Sequence, residues 1–82
     1  MKRVLRFTAS WCQPCKALAQ QLEEINTNLP IEVIDIDDNQ ALAMEYGIRS
    51  VPTLIMLNEN FEVKRRTGIV AKNLLQEWLE ND

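Results

Sequence analysis

The sequence predicts an α/β fold, a mixed four-stranded sheet in the order βα–βα–ββα with helices on both faces. Three observations predict it. Short runs rich in β-branched and large apolar residues recur as RVLRFT, IEVIDI and TLIML. The segment between the first two runs places its apolar residues at helical spacing. The third run leads through turn residues into an alternating segment, the pattern of a hairpin.

Residues Arg3–Thr8 read as the first strand. Gln13–Asn28 read as a helix, because Leu18, Leu22, Ile25 and Leu29 form one apolar stripe. Pro14 is tolerated in the first turn, where N–H groups have no intrahelical partner. Pro30 ends the segment, and Ile31–Ile36 form the second strand. Asp37-Asp38-Asn39, with Gln40 three residues after Asp37, offers N-capping chemistry for a short helix from about Asn39 to Tyr46. Gly47 is placed to close that helix in the left-handed region.

Thr53–Leu57 read as an apolar strand. In the turn Asn58-Glu59-Asn60, two of the residues suit positive φ. Phe61–Arg66 alternate as the antiparallel partner, and Gly68 breaks the run. The last helix spans Ala71–Glu80, with Leu74, Leu75, Trp78 and Leu79 as its buried face. Glu80, Asp82 and the terminal carboxylate crowd the negative end of its dipole, so fraying is expected there. Strands joined through a helix run parallel. The first turn, at the carboxyl end of a strand, is where α/β folds place their sites.

The 82 residues read as one domain, 1–82, and a chain this short buries only about 60% of its unfolded surface. The 46% hydrophobic content suits a globular core. A net charge of −3 argues against a nucleic-acid partner, which needs a basic face. The one basic cluster, Lys64-Arg65-Arg66, reads as a solvated edge strand. No run approaches the roughly 18 apolar residues of a membrane span. Met1-Lys2-Arg3 is basic, but Arg6 and Thr8 break the apolar run behind it, so no leader is read. A reducing, cytoplasmic compartment is the expectation, with the chain acting as a monomer.

In that compartment a Cys pair points to catalysis or metal more than to a structural bridge. Cys12 and Cys15 are the only cysteines, within Trp11-Cys12-Gln13-Pro14-Cys15-Lys16. A bridge between them closes a very small loop and removes little unfolded-chain entropy, so its use is redox chemistry. If the helix begins just after Cys12, that sulfur lies over first-turn N–H groups and the positive end of the dipole. Such settings hold cysteine pKa values at roughly 3.5–7.5 and favour the thiolate, the nucleophilic form. Cys12 is therefore the expected nucleophile, and Cys15, about one turn further, the resolving sulfur. Lys16 adds charge nearby, though a solvated helix lysine is the plainer reading. A zinc site needs about four ligands and the chain holds two Cys and no His, so no metal is expected. An inert buried pair and a scaffold that keeps its cysteines are the other readings.

The segment Trp11–Lys16 resembles the active-site segment of the thioredoxin family, with Gln13 where Gly is usual. Tyr46-Gly47-Ile48-Arg49-Ser50-Val51-Pro52-Thr53 resembles the family segment that ends in a cis-proline. Ile36-Asp37 and Gly68 match in order and spacing, so the likeness covers nearly the whole chain. The resemblance implies a minimal thioredoxin fold. It implies a cis Pro52 beside the sulfurs, with Val51 offering its backbone to an extended substrate as a short strand addition. It makes Trp11 either an exposed docking rim, shared with Val51 and Ile69, or a packed cover over the helix start. Gln13-Pro14 becomes one lever on the reduction potential.

Two departures bear on the site. Longer thioredoxins carry a further strand and helix before the first strand, so an edge strand is expected to be missing and one face covered chiefly by the Asn39–Tyr46 helix. Glutaredoxins share this smaller core. Where thioredoxins carry a buried Asp, six positions before the first active-site Cys, this chain has Arg6; its usual Lys partner falls at Val33. Arg6 either points beneath Cys15, stabilising a thiolate, or snorkels to water with Asp35 as a candidate partner, and the second is expected.

The function implied is a thiol–disulfide oxidoreductase that reduces protein disulfides without a cofactor. It would be re-reduced by a thioredoxin reductase-type flavoenzyme or by a small-molecule thiol. A glutathione-dependent glutaredoxin-like reductase is the alternative, but Thr67-Gly68-Ile69-Val70 lacks the glycine pair and acidic residue such proteins use for glutathione. A non-enzymatic scaffold using the Trp11/Val51/Ile69 rim is the third reading.

Overall fold

The computed structural model describes residues 1–81; Asp82, invoked above at the end of the last helix, lies outside them. The elements are β1 (Lys2–Thr8), α1 (Gln13–Glu23), β2 (Ile31–Asp35), α2 (Gln40–Glu45), β3 (Thr53–Asn58), β4 (Phe61–Thr67) and α3 (Lys72–Glu80). The sheet order is β2-β1-β3-β4. β1 pairs parallel with β2, Val4 opposite Ile31 and Thr8 opposite Asp35. β3 pairs antiparallel with β1 and with β4, and the register of the hairpin slips between Met56 and Leu57. The mixed four-stranded α/β sheet is the one the sequence predicts.

Alternation along the strands divides the core in two. Val4, Leu54 and Met56 meet Leu18 and Ile25 from the α1 segment and Leu75 and Leu79 of α3. Leu5, Phe7, Ile34, Ile55 and Leu57 face the other way, beneath Leu42, Tyr46 and Ile48 of the α2 segment. Of the residues covering this face only Leu42 lies in α2 itself; Ile36, Tyr46, Ile48 and Val51 come from the chain on either side of it, so the short helix covers less of the face than expected.

α1 stops at Glu23, five residues short of the expected Asn28. Glu24 caps it by donating its N–H to the Gln21 carbonyl, and the Ile25 N–H donates to that of Leu22. Beyond it, Asn26, Thr27 and Asn28 are residues whose side chains compete for backbone partners, and Thr27 Oγ1 accepts the Leu29 N–H at 3.2 Å. The apolar stripe still works: Ile25 and Leu29 reach the core from irregular chain.

Leu74 departs from its expected burial. It is 46% exposed, while Leu75 and Leu79 are buried. Trp78 is partly buried and carries Lys64 Nζ over its ring at 4.8 Å. Lys64 also donates to the carbonyls of Trp78 and Asn81. The cation that α3 lacks in its own last turn comes from β4. Two of the three residues of the basic cluster are therefore engaged within the fold, since Arg65 likewise binds Glu62 and the Tyr46 carbonyl.

Two turns refine the reading. The Asn39 side chain leaves its cap position and donates to the Asp35 carbonyl. The positive φ in the hairpin falls on Glu59 (57°) and on neither asparagine. Its N–H donates to the Met1 carbonyl, and its carboxylate meets the Met1 ammonium at 2.5 Å. Gly47 closes α2 with φ 65° as expected: Ile48 N–H donates to Ala43 and Gly47 N–H to Met44, a Schellman pairing.

Candidate active site

Strand β1 lies inside the sheet, so the turn that leaves its carboxyl end is backed by neighbours on both sides. Cys12 N–H donates to the Ala9 carbonyl at 3.2 Å, which folds the chain back into α1. Cys12 is the N-cap, with extended backbone, and its sulfur accepts the Cys15 N–H at 3.2 Å. A sulfur here occupies the position that a Ser, Thr or Asp oxygen usually takes. Pro14 stands in the first turn, where its missing N–H leaves no bond unmade.

Cys12 and Cys15 are joined as a disulfide with Cα atoms 5.3 Å apart. Both are nearly buried, Cys15 the more so at 1% exposed against 5%. Ala9, Ile36 and Val51 pack against the pair. The Val51 carbonyl oxygen lies 3.6 Å from the Cys12 sulfur. The Val51–Pro52 peptide is cis, as the resemblance implies. Gly68, with φ 85°, donates its N–H to the Pro52 carbonyl and brings Ile69 to this end of the sheet. Thr53 Oγ1 donates to the Ser50 carbonyl and ties down the loop before β3.

Trp11 is 65% exposed, and its Nε1–H donates to Asp37 Oδ2 at 3.0 Å. It is a rim residue held by one hydrogen bond, and not a packed cover. Ile69 is 44% exposed. Gln13, Pro14 and Lys16 lie exposed on the first turn of α1. Arg6 is neither fully buried nor fully exposed. It is half-buried on the α1 face, where it lines a depression with Ala19, Leu22 and Glu23 of the helix. Burial lowers its guanidinium from the ordinary arginine value. It makes no ion pair with Asp35, whose Oδ1 accepts the Asp37 N–H instead. Arg6, Lys16 and Asp35 line a depression of about 210 Å³ that reaches Cys15. Val33, at the other departure, is exposed.

The thioredoxin family model matches residues 1–81. The chain belongs to the thioredoxin family. It is 43% identical over 75 residues to a thioredoxin of Bacillus subtilis, which spans 87% of this chain and 72% of that one. It is 36% identical over 80 residues to a thioredoxin of Rickettsia bellii, covering 93% and 76%. A thioredoxin mutant from Halobacterium salinarum superposes with a TM-score of 0.88 at 34% identity, over 96% of this chain and 72% of that one. With its Cys pair, this family member is a thiol–disulfide oxidoreductase. No helix among the described residues is long and apolar enough to cross a membrane, and no group of three or more acidic, His or Cys residues there could hold a metal ion.

Sequence reasoning missed two residues of this site. Ala9 and Ile36 complete the apolar wall around the sulfurs. Ile36 follows β2 and continues its ladder by donating to the Thr8 carbonyl at 2.9 Å. Its signals in the sequence were its place at the end of a β-branched run and the family match of Ile36-Asp37, and the parallel register with β1 is what aims it at the pair.

Proposed function

We propose that this protein reduces disulfides in protein substrates, with Cys12 as the attacking thiolate and Cys15 as the resolving thiol. One observation carries the assignment: the Cys12 sulfur caps α1 and accepts the Cys15 N–H. In the reduced protein the same donor and the helix dipole favour a thiolate on Cys12. That thiolate attacks a substrate disulfide, and one substrate sulfur leaves. Cys15 then attacks the Cys12 sulfur, closing the internal disulfide and releasing the second substrate sulfur. Two electrons pass from the Cys12/Cys15 dithiol to the substrate.

Exposed Trp11 and Ile69 flank the sulfurs, and the backbone of Val51 beside Pro52 offers an edge for an extended substrate segment. Gln13-Pro14 and Lys16 are the exposed positions that tune the couple from the first turn. The reductant proposed is a thioredoxin reductase-type flavoenzyme, and the compartment the cytoplasm.

Reduction of insulin disulfides, run with thioredoxin reductase and NADPH and separately with glutathione, tests this reading. Turnover with the reductase is expected, and Cys12→Ser should reduce it by at least about a thousandfold, as loss of a covalent nucleophile does. Cys15→Ser should instead trap a mixed disulfide with substrate, visible by mass. Activity with glutathione alone would move the protein to the glutaredoxin-like alternative. A folded protein inactive with both, whose Cys12→Ser variant keeps its partners, would make it a scaffold.

A further inference from the structure

The two sulfurs meet different surroundings. Cys12 faces the Val51 carbonyl and the exposed rim, whereas the depression that reaches Cys15 is lined by charged and polar groups. β1 contributes Arg6 and Thr8, α1 contributes Lys16, and β2 contributes Asp35. Val51, from the segment before β3, packs against the pair without a titratable group. Two cations and one carboxylate line the depression, and that carboxylate is already engaged by the Asp37 N–H at 2.8 Å; Glu23 of α1 lines an adjoining depression with Arg6 that does not include Cys15.

Arg6 is the unusual member. It is half-buried, and its guanidinium makes no hydrogen bond or ion pair among the described residues. Burial lowers it from the ordinary arginine value, yet a guanidinium keeps its charge throughout the working range. A cation kept partly out of water and not ion-paired favours any anion that forms beside it.

We propose that Arg6 is a positioning residue for the resolving step: its charge, held in the depression beside Cys15, stabilises the Cys15 thiolate of the reduced protein. The Cys15 proton leaves to water in the depression before the attack, so no side-chain base is needed. The thiolate then bonds to the Cys12 sulfur, the bond between Cys12 and the substrate breaks, and the departing substrate thiolate takes a proton from solvent. Asp35 opposes Arg6 and sets how far the Cys15 equilibrium moves. The proposal rests on Cys15 as the resolving thiol, but its readout is thiol ionisation in the reduced protein, which needs neither reductase nor substrate.

The test follows the carbon-13 shifts of both cysteine Cβ atoms against pH in the reduced full chain, fitting the two thiols as one coupled pair. The variants are Arg6→Met, Arg6→Lys and Asp35→Asn. Arg6→Met should cut the Cys15 thiolate-to-thiol ratio about tenfold at a given pH. Arg6→Lys should stay close to wild type, and Asp35→Asn should raise the ratio. The reduction potentials of wild type and Arg6→Met should coincide at pH values where Cys15 is protonated in both. Above that range the variant should become more negative, approaching a tenfold change in the equilibrium, about 30 mV. An unchanged ratio in Arg6→Met, or equal falls in Arg6→Met and Arg6→Lys, overturns the proposal. If Arg6→Met does not fold, Asp35→Asn decides: an unchanged or lowered ratio overturns it.

Discussion

Beneath α1 and α3 the sheet is closed by two helices whose own residues Leu18, Leu75 and Leu79 are buried in a common core with Val4, Leu54 and Met56. Beneath α2 it is closed by a single helix of six residues, none of them fully buried. The sheet residues on that side, among them Phe7, Ile55 and Leu57, are as buried as those on the other. Their cover comes from chain around the helix: Ile36, Tyr46, Ile48 and Val51. A helix of this length does not persist by itself in water. It is held at its end, by the Schellman pairing at Gly47, by Arg65 on the Tyr46 carbonyl and by the tilted ring contact of Tyr46 with Phe7 at 5.8 Å. One face is stabilised by packing and the other by anchoring. The sulfurs belong to both: Cys12 and Cys15 start the helix of the packed face, while Ile36 and Val51 reach them from the anchored one.

The comparison can be broken most directly in the packed core. Leu75→Ala removes a fully buried side chain and should lower stability by about 3 kcal/mol. For a domain whose total lies within roughly 5–15 kcal/mol, urea midpoints will show this clearly. Gly47→Ala tests the anchor. Nothing lies within 4 Å of an added Cβ, so the cost is that of the positive φ alone, about 1–2 kcal/mol by the same denaturation. Leu42→Ala truncates a partly buried contact under α2 and should cost about 1 kcal/mol. Losses for Leu42→Ala equal to those for Leu75→Ala would show that the two faces are packed alike.

The smallest effect is electrostatic. The Arg65 hydrogen bond holds the Glu62 carboxyl below its ordinary value, opposed by burial and aided to a smaller extent by the Arg65 charge. A carboxylate with a lowered folded-state value contributes stability above the usual glutamate range and loses it as pH falls through the lowered value. Glu62→Gln should therefore cost about 0.5 kcal/mol near neutral pH, as exposed pairs do, with the difference vanishing in acid. A difference that persisted in acid would assign the effect to packing instead.

Much of this was legible along the chain because it depends on local period and local chemistry. β-branched runs separated by a helical stripe give strands and a crossover whatever surrounds them, and all seven elements lie where those patterns fall. The N-cap role of Cys12 follows from a cysteine placed immediately before a helix with Pro in its first turn. Gly47 announced its left-handed cap because few other residues adopt that backbone cheaply. What was not legible needed a second segment. Leu74 and Leu75 are equally apolar, and only the seating of α3 on the sheet buries one and exposes the other. The hairpin puts positive φ on Glu59, where the Met1 terminus supplies both a carbonyl and an ammonium. Lys64 ends up capping a helix that begins eight residues later, which no reading of the basic cluster alone suggests.

The sequence by itself determined the reaction and its platform. Two thiols three residues apart at a helix start can exchange electrons, and a thioredoxin-like Val51-Pro52 segment marks where they face. Only the tertiary structure decided what each sulfur feels. The parallel register of β1 and β2 brings Ile36 against the pair, and the alternation of β1 turns Arg6 toward α1 and the Cys15 side. Sequence carries the identity of a charge. Its effect depends on distance and burial, and those are set only when distant segments pack together.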